Sequence, residues 1–553
     1  MMQIAKIALM SSALILGLGL GGCSSSDTTD TPAAGGGTLP GNNIKQPGAK
    51  DPVAEVSSLG IYMAESNEST KKGYEFYTGP LYIDSKLYTR LYRPFDGTMD
   101  AAMKVVAYDL SSFNADMNIS EIPTEVLYNQ VGPNFTNARF NQRYYDMAEV
   151  DSALYFSTMP ENIDTLSQSS YIKYDMISKS EVYHQRGIPV EGKNLDKIFD
   201  LARGWFMPFG NNNYMGVVED AIVKAFNISD GSFYKYGVYD YLGMGANAGS
   251  YGNGVPPVGT EDRFYSVSSK LFNVSYLSNQ VDYGVRDFNN DPEYKVNDIL
   301  TDFLTKYSGS KVYKLANYNG DASGAISPLV IDDTTIYLSA TLAYDDSEGY
   351  RQRDLYLMEY DKNSQLQEVY LLGSQDNAGF FFDATHTYKY GDNLYFKFRL
   401  NNKSEFCSYN LNTHTYNYKI AIGNHSGFSD SPVTSYAITG GTVVIPEIVR
   451  PSDYDPNDSD TIYDYDFVFK VINIVDGSVI KTLHHKDLMG LTYNSGASIK
   501  STYVDENGVY FIGSKWTRNT QHNIIVKIDS VGNTVDFSRY RVDARHTGVI
   551  TNR

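Results

Sequence analysis

One short pattern recurs along most of this chain and limits what it can fold into. An apolar run is followed by a polar turn, then by a second run that closes on Asp or Asn, then by a third run. It is plainest from Gly508 to Phe537: strands at Val509 to Ile512 and Ile524 to Ile528, a turn carrying Asp529 and Gly532, and a third strand ending at Phe537. Leu394, Tyr395 and Phe396 ahead of Tyr409 and Asn410 repeat it. So do Ile336, Tyr337 and Leu338 ahead of Tyr360 and Asp361, and Leu154, Tyr155 and Phe156 ahead of Tyr174 and Asp175.

Strand, hairpin, strand, Asx turn, strand is how one blade of a β-propeller reads. The closing pair is found at Tyr108-Asp109, Tyr174-Asp175, Phe226-Asn227, Ala316-Asn317, Tyr360-Asp361, Tyr409-Asn410, Ile472-Asn473 and Ile528-Asp529. The Asp or Asn side chain can take a backbone N–H two residues on and so hold the turn. The expected fold is all-β, a propeller of eight blades or, second, seven, with short helical insertions. One helix is expected at Asn297 to Tyr307, with Ile299, Leu300, Phe303, Leu304 and Tyr307 on one face, and another at Asn194 to Arg203, capped by Gly204. Ser58 to Ala64 is the expected partner of the last blade, which would bring the two ends of the domain together.

The N-terminus has a different character. Met1 to Gly22 carries one charge, Lys6, and an apolar run from Ile7 to Leu20 too short to span a membrane comfortably. Its ending, Leu20-Gly21-Gly22-Cys23, resembles the bacterial lipobox. That resemblance implies a signal peptide over residues 1–22, lipidation of Cys23 with palmitate-type chains and, with Ser24 following, retention at the outer membrane. Residues 23–51 are rich in Ser, Thr, Asp, Pro and Gly, cannot form a core, and read as a tether reaching a few tens of ångströms. Residues 52–553 read as one propeller domain. With 47 Tyr and 26 Phe they have ample strand-forming material for a large core.

Chemistry is sparser. The two Cys residues are Cys23 and Cys407, so the fold cannot rest on a disulfide, and Cys407 reads as a buried, inert thiol. No Cys-x-x-Cys-His, Gly-x-Ser-x-Gly or sialidase-type Ser-x-Asp-x-Gly-x-Thr-Trp motif occurs. His484-His485 reads as a solvated turn. Asp455, Asn457 and Ser459, with Asp466, and Asp287, Asn289 and Asp291, with Asp298, have the alternating oxygen spacing of calcium loops. That spacing makes calcium the one cofactor suggested, although both loops lack Gly at the turn position, where Asp460 and Pro292 stand, and end in Asp rather than Glu; a solvated acidic hairpin is the alternative. The glycines from Gly243 to Gly259 read as a rim loop; Tyr251 within it, Trp205 and Trp516 are candidate stacking surfaces. A net charge of −19 argues against a nucleic-acid partner.

Turn segments such as Lys527-Ile-Asp-Ser-Val-Gly-Asn533 and Asn473-Ile-Val-Asp-Gly477 resemble the outer-strand turns of quinoprotein-like bacterial propellers, which include a lipoprotein of the β-barrel assembly machinery. Those repeats end in Trp, whereas this chain has two Trp in all. The tethered, Tyr-rich layout also resembles surface propeller lipoproteins that pass ferric siderophores to TonB-dependent receptors. The expectation is a non-catalytic binder anchored by lipid to the outer membrane, on its surface or periplasmic face, aiding uptake of a ferric siderophore or an oligosaccharide. A propeller polysaccharide lyase or hydrolase and an envelope-assembly scaffold are the alternatives.

Overall fold

The computed structural model describes strands and short connections between residues 59 and 552. Residues 1–58, 132–143, 159–170, 186–202, 239–257, 276–293, 316–325, 377–384, 423–435, 451–464, 530–539 and 544–550, with shorter gaps, lie outside that description. The fold is a β-propeller, and its strands fall into eight sheets among the described residues. Each sheet is an up-and-down row of four principal strands, a to d, numbered here in chain order. Sheet 1 has Leu81–Ile83, Lys86–Arg93, Ala102–Asp109 and Thr124–Val131; sheet 2 has Met147–Val150, Ala153–Ser157, Tyr171–Asp175 and Ser180–Gln185. Sheet 3 has Arg203–Phe209, Tyr214–Glu219, Ile222–Asn227 and Phe233–Val238; sheet 4 has Val258–Gly259, Arg263–Val267, Lys270–Ser275 and Tyr294–Asp298. Sheet 5 has Ile326–Ile331, Thr335–Asp345, Arg351–Asp361 and Leu366–Asp376; sheet 6 has Thr385–Tyr390, Asn393–Leu400, Lys403–Asn410 and Thr415–Ile422. Sheet 7 has Ala437–Thr439, Thr442–Val449, Asp466–Asn473 and Val479–His484.

Sheet 8 is assembled from both ends of the domain. Ser495–Asp505, Gly508–Thr517 and Gln521–Asp529 come from the C-terminal part, and Ile61–Glu65 supplies strand d, antiparallel to Gln521–Asp529 with Ile61 opposite Ile528. The expected closure is therefore present. The third strand expected to end at Phe537 is not what pairs there: Ile61–Glu65 takes the place beside Gln521–Asp529, and residues 530–539 lie outside the description.

Burial explains why the strands read as they do. Strand b of sheet 5 is buried at every position from Ile336 to Ala343, because a middle strand is covered by a neighbouring sheet on each side. Strand d of sheet 6 alternates exposed and half-buried residues, as an outer strand should. The apolar clusters accordingly lie between sheets. Ile445, Phe467 and Phe469 of sheet 7 meet Phe511 and Val526 of sheet 8, with the Phe469 and Phe511 rings 4.9 Å apart. Tyr82 and Tyr108 of sheet 1 meet Tyr503 and Tyr510 of sheet 8.

The Asx turns form where strand c ends. Asp109, Asp175, Asn227, Asp361, Asn410 and Asn473 each accept, through Oδ1, the N–H of the residue two further on. Four residues after the Asx, Lys179, Gly231, His414 and Gly477 stand in the left-handed region. Each of the four touches strand d of the preceding sheet. Lys179 pairs with Glu125 at 2.7 Å, the His414 ring stacks on Tyr370 at 3.9 Å, and Gly231 and Gly477 lie against the rings of Tyr183 and Tyr418. The same two tyrosines donate to the carbonyls of Ile228 and Ile474 in those turns. One backbone conformation thus serves both the turn and the joint between sheets.

Three expectations need correction. The fourth turn marker, Ala316-Asn317, lies outside the described residues, and strand c of sheet 4 ends instead at Ser275. Gly204 is no helix cap: it sits inside strand a of sheet 3, opposite Glu219, and residues 194–202 are outside the description. The other helix, α1, runs over Ile299–Lys306, shorter than expected because Asp298 caps it. Ile299 and Phe303 are buried, and Leu300 and Leu304 pack beside them.

Candidate functional site

Because strands a to d alternate in direction, the d-to-a and b-to-c connections of every sheet emerge on one side, and the a-to-b and c-to-d turns on the other. The two sides differ sharply in chain length. Long stretches of chain leave described strand ends on the first side at Val131, Gln185, Val238, Ile422 and Val449. Described strand ends on the second side lead mostly into tight turns such as Asp84-Ser85 and Asp151-Ser152, with 110–123 as a long excursion and another long stretch leaving at Ser275. Long connections on a rigid scaffold are where binding residues collect.

The best-described corner of the loop side lies between sheets 7 and 8. Trp516, near the end of strand b in sheet 8, is half-buried and stands opposite Gly496 and Gln521. A Cβ on Gly496 would overlap the Trp516 indole and the Tyr465 hydroxyl, so only glycine lets the two aromatics meet over the backbone there. Tyr465 is buried, exchanges backbone hydrogen bonds with Leu491 at 2.8 Å, and donates its hydroxyl to Ser495 O at 3.2 Å. Burial pushes its phenol up to about 12, so it stays a neutral donor at physiological pH. Next to it, Asp466 accepts the N–H of Gly490 at 2.7 Å.

Close by on the chain, His485 forms a polar knot. Its Nδ1 accepts the Asp487 N–H at 3.3 Å, which leaves the ring proton on Nε2 to donate to Asp116 Oδ1 at 3.0 Å. Asp116 also accepts the Met63 N–H at 3.1 Å and pairs with Lys486 at 3.2 Å. Burial works to raise the Asp116 carboxyl, but the bonds from His485, Met63 and Lys486 outweigh it and hold the group below its ordinary value. Asp116, His485 and Asp487 have the donor types of a metal site. However, the carboxylates of Asp116 and Asp487 face opposite nitrogens of one ring, and Lys486 neutralises Asp116. The set reads as a structural tie between sheet 7, the closing strand and the 110–123 excursion. His485, expected in a solvated turn, is 4% exposed, while His484 is exposed.

The other expected site residues fall as follows. Trp205 lies in strand a of sheet 3 opposite Val218. Tyr251, Asp287, Asn289, Asp291, Asp455, Asn457 and Ser459 are outside the described residues. Of the two calcium patterns, the described members are Asp298, whose carboxylate caps α1 through the Thr301 N–H, and Asp466, held by Gly490. Cys407 is buried and free, and burial first, then Glu405, pushes its thiol well up. Sequence reading missed Tyr465 and Gly496; the glycine two residues into a strand, opposite one of two tryptophans, was the available signal.

One buried acid also sits toward the loop side. Asp354, in strand c of sheet 5, is 8% exposed; its Oδ2 accepts from the Tyr356 hydroxyl at 3.1 Å, and Oδ1 has no hydrogen bond. Burial raises its carboxyl against the opposing pull of Ser374 and Tyr356.

Among the described residues no helix is long and apolar enough to cross a membrane. No family model matches the chain, and no curated protein matches it. Among solved structures it is similar to the WD40 domain of SCAP from fission yeast, at 8% identity and a TM-score of 0.40, over 86% of this chain and 98% of that one. It is also similar to the Dos1 propeller, at 10% identity and a TM-score of 0.36, over 69% of this chain and 90% of that one. Such likeness concerns the fold alone.

Proposed function

We propose that this protein is a non-catalytic binder, anchored to the outer membrane by lipid on Cys23, that captures an oligosaccharide or a ferric siderophore on the loop side of its propeller for an outer-membrane receptor of the TonB-dependent type. The observation that carries the reading is the corner where Trp516 and Tyr465 meet over Gly496, near the end of strand b of sheet 8. A half-buried indole backed by a neutral phenol gives a flat apolar face with a polar edge, which suits the face of a sugar ring or an aromatic chelator. Calcium bound through Asp466 would lie one residue from Tyr465. Capture without chemistry fits the described polar groups at the corner, where Tyr465 donates to Ser495 O and Asp466 accepts from Gly490 N–H.

The test uses the protein's two tryptophans. With Trp205→Phe, Trp516 is the sole indole, and its emission is titrated with neutral and acidic oligosaccharides and with ferric siderophores. A saturable change is expected for one class, weakened roughly tenfold in Tyr465→Ala, the scale of one lost aromatic partner. Binding measured by calorimetry that Trp516→Ala and Tyr465→Ala leave unchanged would move the site elsewhere. Cys23→Ser should release the protein from the membrane fraction.

Asp354 and Tyr356 motivate the second reading, a polysaccharide lyase or hydrolase, since a buried acid with a raised pKa can serve as a proton donor. Turnover of a polysaccharide panel that Asp354→Asn abolishes would favour it.

A further inference from the structure

The C-terminal strands Tyr540–Asp543 and Thr551–Asn552 form a two-stranded ribbon, with Tyr540 opposite Asn552 and Arg541 opposite Thr551. The ribbon adds to strand a of sheet 8, Val542 standing opposite Thr502 and Asp543 opposite Ser501. Since Ile61–Glu65 lies on the far side of that sheet, strand a is its inner edge, the one that borders the central channel of a propeller. Sheet 3 also carries an addition at its strand a, but there it is a two-residue piece, Tyr144–Tyr145, from the chain leading into sheet 2.

Among the described residues, two register pairs join the ribbon to strand a, against ten between strands a and b. Thr502 Oγ1, buried at that same register, has no hydrogen bond. A lone two-stranded ribbon is marginal in water, so this one depends on the edge it covers. Residues 537–553 contain Arg539, Arg541, Arg545 and Arg553 against Asp543, in a chain whose net charge is −19, so attraction to the rest of the protein adds to the hold and weakens with salt.

We infer that the inner edge of sheet 8 is a strand-addition site whose occupant is the chain's own C-terminal ribbon, and that the ribbon can leave this edge and return to it while the sheet stays folded. An exposed edge pairs readily with any extended segment. The ribbon therefore keeps the axial edge of the closing sheet from pairing with other chains.

The test is hydrogen exchange on the full chain and on its Val542→Pro and Asp543→Pro variants. Successive residues of a strand direct their N–H groups to opposite sides, so one of the two prolines must remove a bond on the side of strand a. In that variant residues 495–505 are expected to exchange about tenfold faster, with residues 508–529 unchanged. A synthetic peptide of residues 537–553, added in trans to that variant, is expected to restore protection of 495–505. Unchanged protection of 495–505 in both variants would overturn the proposal, as would loosening of 508–529 together with it, or a peptide that restores nothing.

Discussion

Asp529 Oδ2 accepts the backbone N–H of Gly60 at 3.0 Å, across 469 residues of chain, and the Asp529 N–H is donated back to Gly60 O at 3.1 Å. In six other sheets the residue at this place spends its side chain on its own turn. Asp529 instead receives the N-terminal strand, and the Tyr62 hydroxyl adds a second donor at 3.3 Å. Asp529→Ala should lower stability by about 1–3 kcal/mol, the range for stranding partly buried hydrogen-bonding groups. Urea unfolding would show the loss, and exchange at Ile61–Glu65 should rise before that of any other strand in sheet 8.

The turn glycines make an opposed pair of expectations with His414. Gly477 has φ +73° and a Cβ there would press into the Tyr418 ring, so Gly477→Ala should cost about 1–3 kcal/mol. His414→Gly relieves a strained backbone but forfeits the stack on Tyr370, and should change stability by well under about 1 kcal/mol. Melting temperatures of the two variants decide the matter.

Acid should loosen the molecule. Hydrogen bonds hold four carboxyls below their ordinary value of 3.8: Asp109 through the Ser111 hydroxyl, Asp175 through the Ser178 N–H, Asp476 through the Ser478 N–H, and Asp116 through His485, Met63 and Lys486 against its burial. A carboxyl depressed in the folded state adds stability above its unfolded pKa and loses it as pH falls through the folded one. The melting temperature should hold nearly level from about pH 7 to pH 5 and drop below about pH 4. Asp116→Asn should lower the plateau and make the drop shallower.

The Cys407 thiol should be silent. Buried beside Phe396 and Tyr409 with its pKa raised, it should resist a thiol reagent in the folded Cys23→Ser chain and react fully in denaturant. Slow labelling under native conditions then reports global opening.

What the sequence made legible follows the physics of repeats. Tyr409-Asn410 and Ile472-Asn473 were readable because an Asx turn needs a particular side chain, and Ser58 to Ala64 because a ring has to close on something. Ala316-Asn317 misled because strand c of sheet 4 closes at Ser275, where no Asx marks the turn, and Gly204 because a glycine that ends a helix looks the same as one inside a strand. The Trp516 corner was half legible: the indole stood out by rarity, whereas Tyr465 is one of 47 tyrosines and acquires its meaning only from Gly496 across the sheet joint. The tie between His485 and Asp116 spans 369 residues and no spacing rule reaches that far.

Closing sheet 8 with Ile61–Glu65 sets a schedule for biosynthesis. That strand is among the first pieces of the domain to be made, and its partner, Gln521–Asp529, is among the last. At roughly 5 to 20 residues per second the early strand waits some tens of seconds for its mate. Throughout that interval Ile61, Tyr62 and Met63 are an unsatisfied sticky segment, so the protein's yield in a cell should depend on a holdase that shields its N-terminal end until translation is complete.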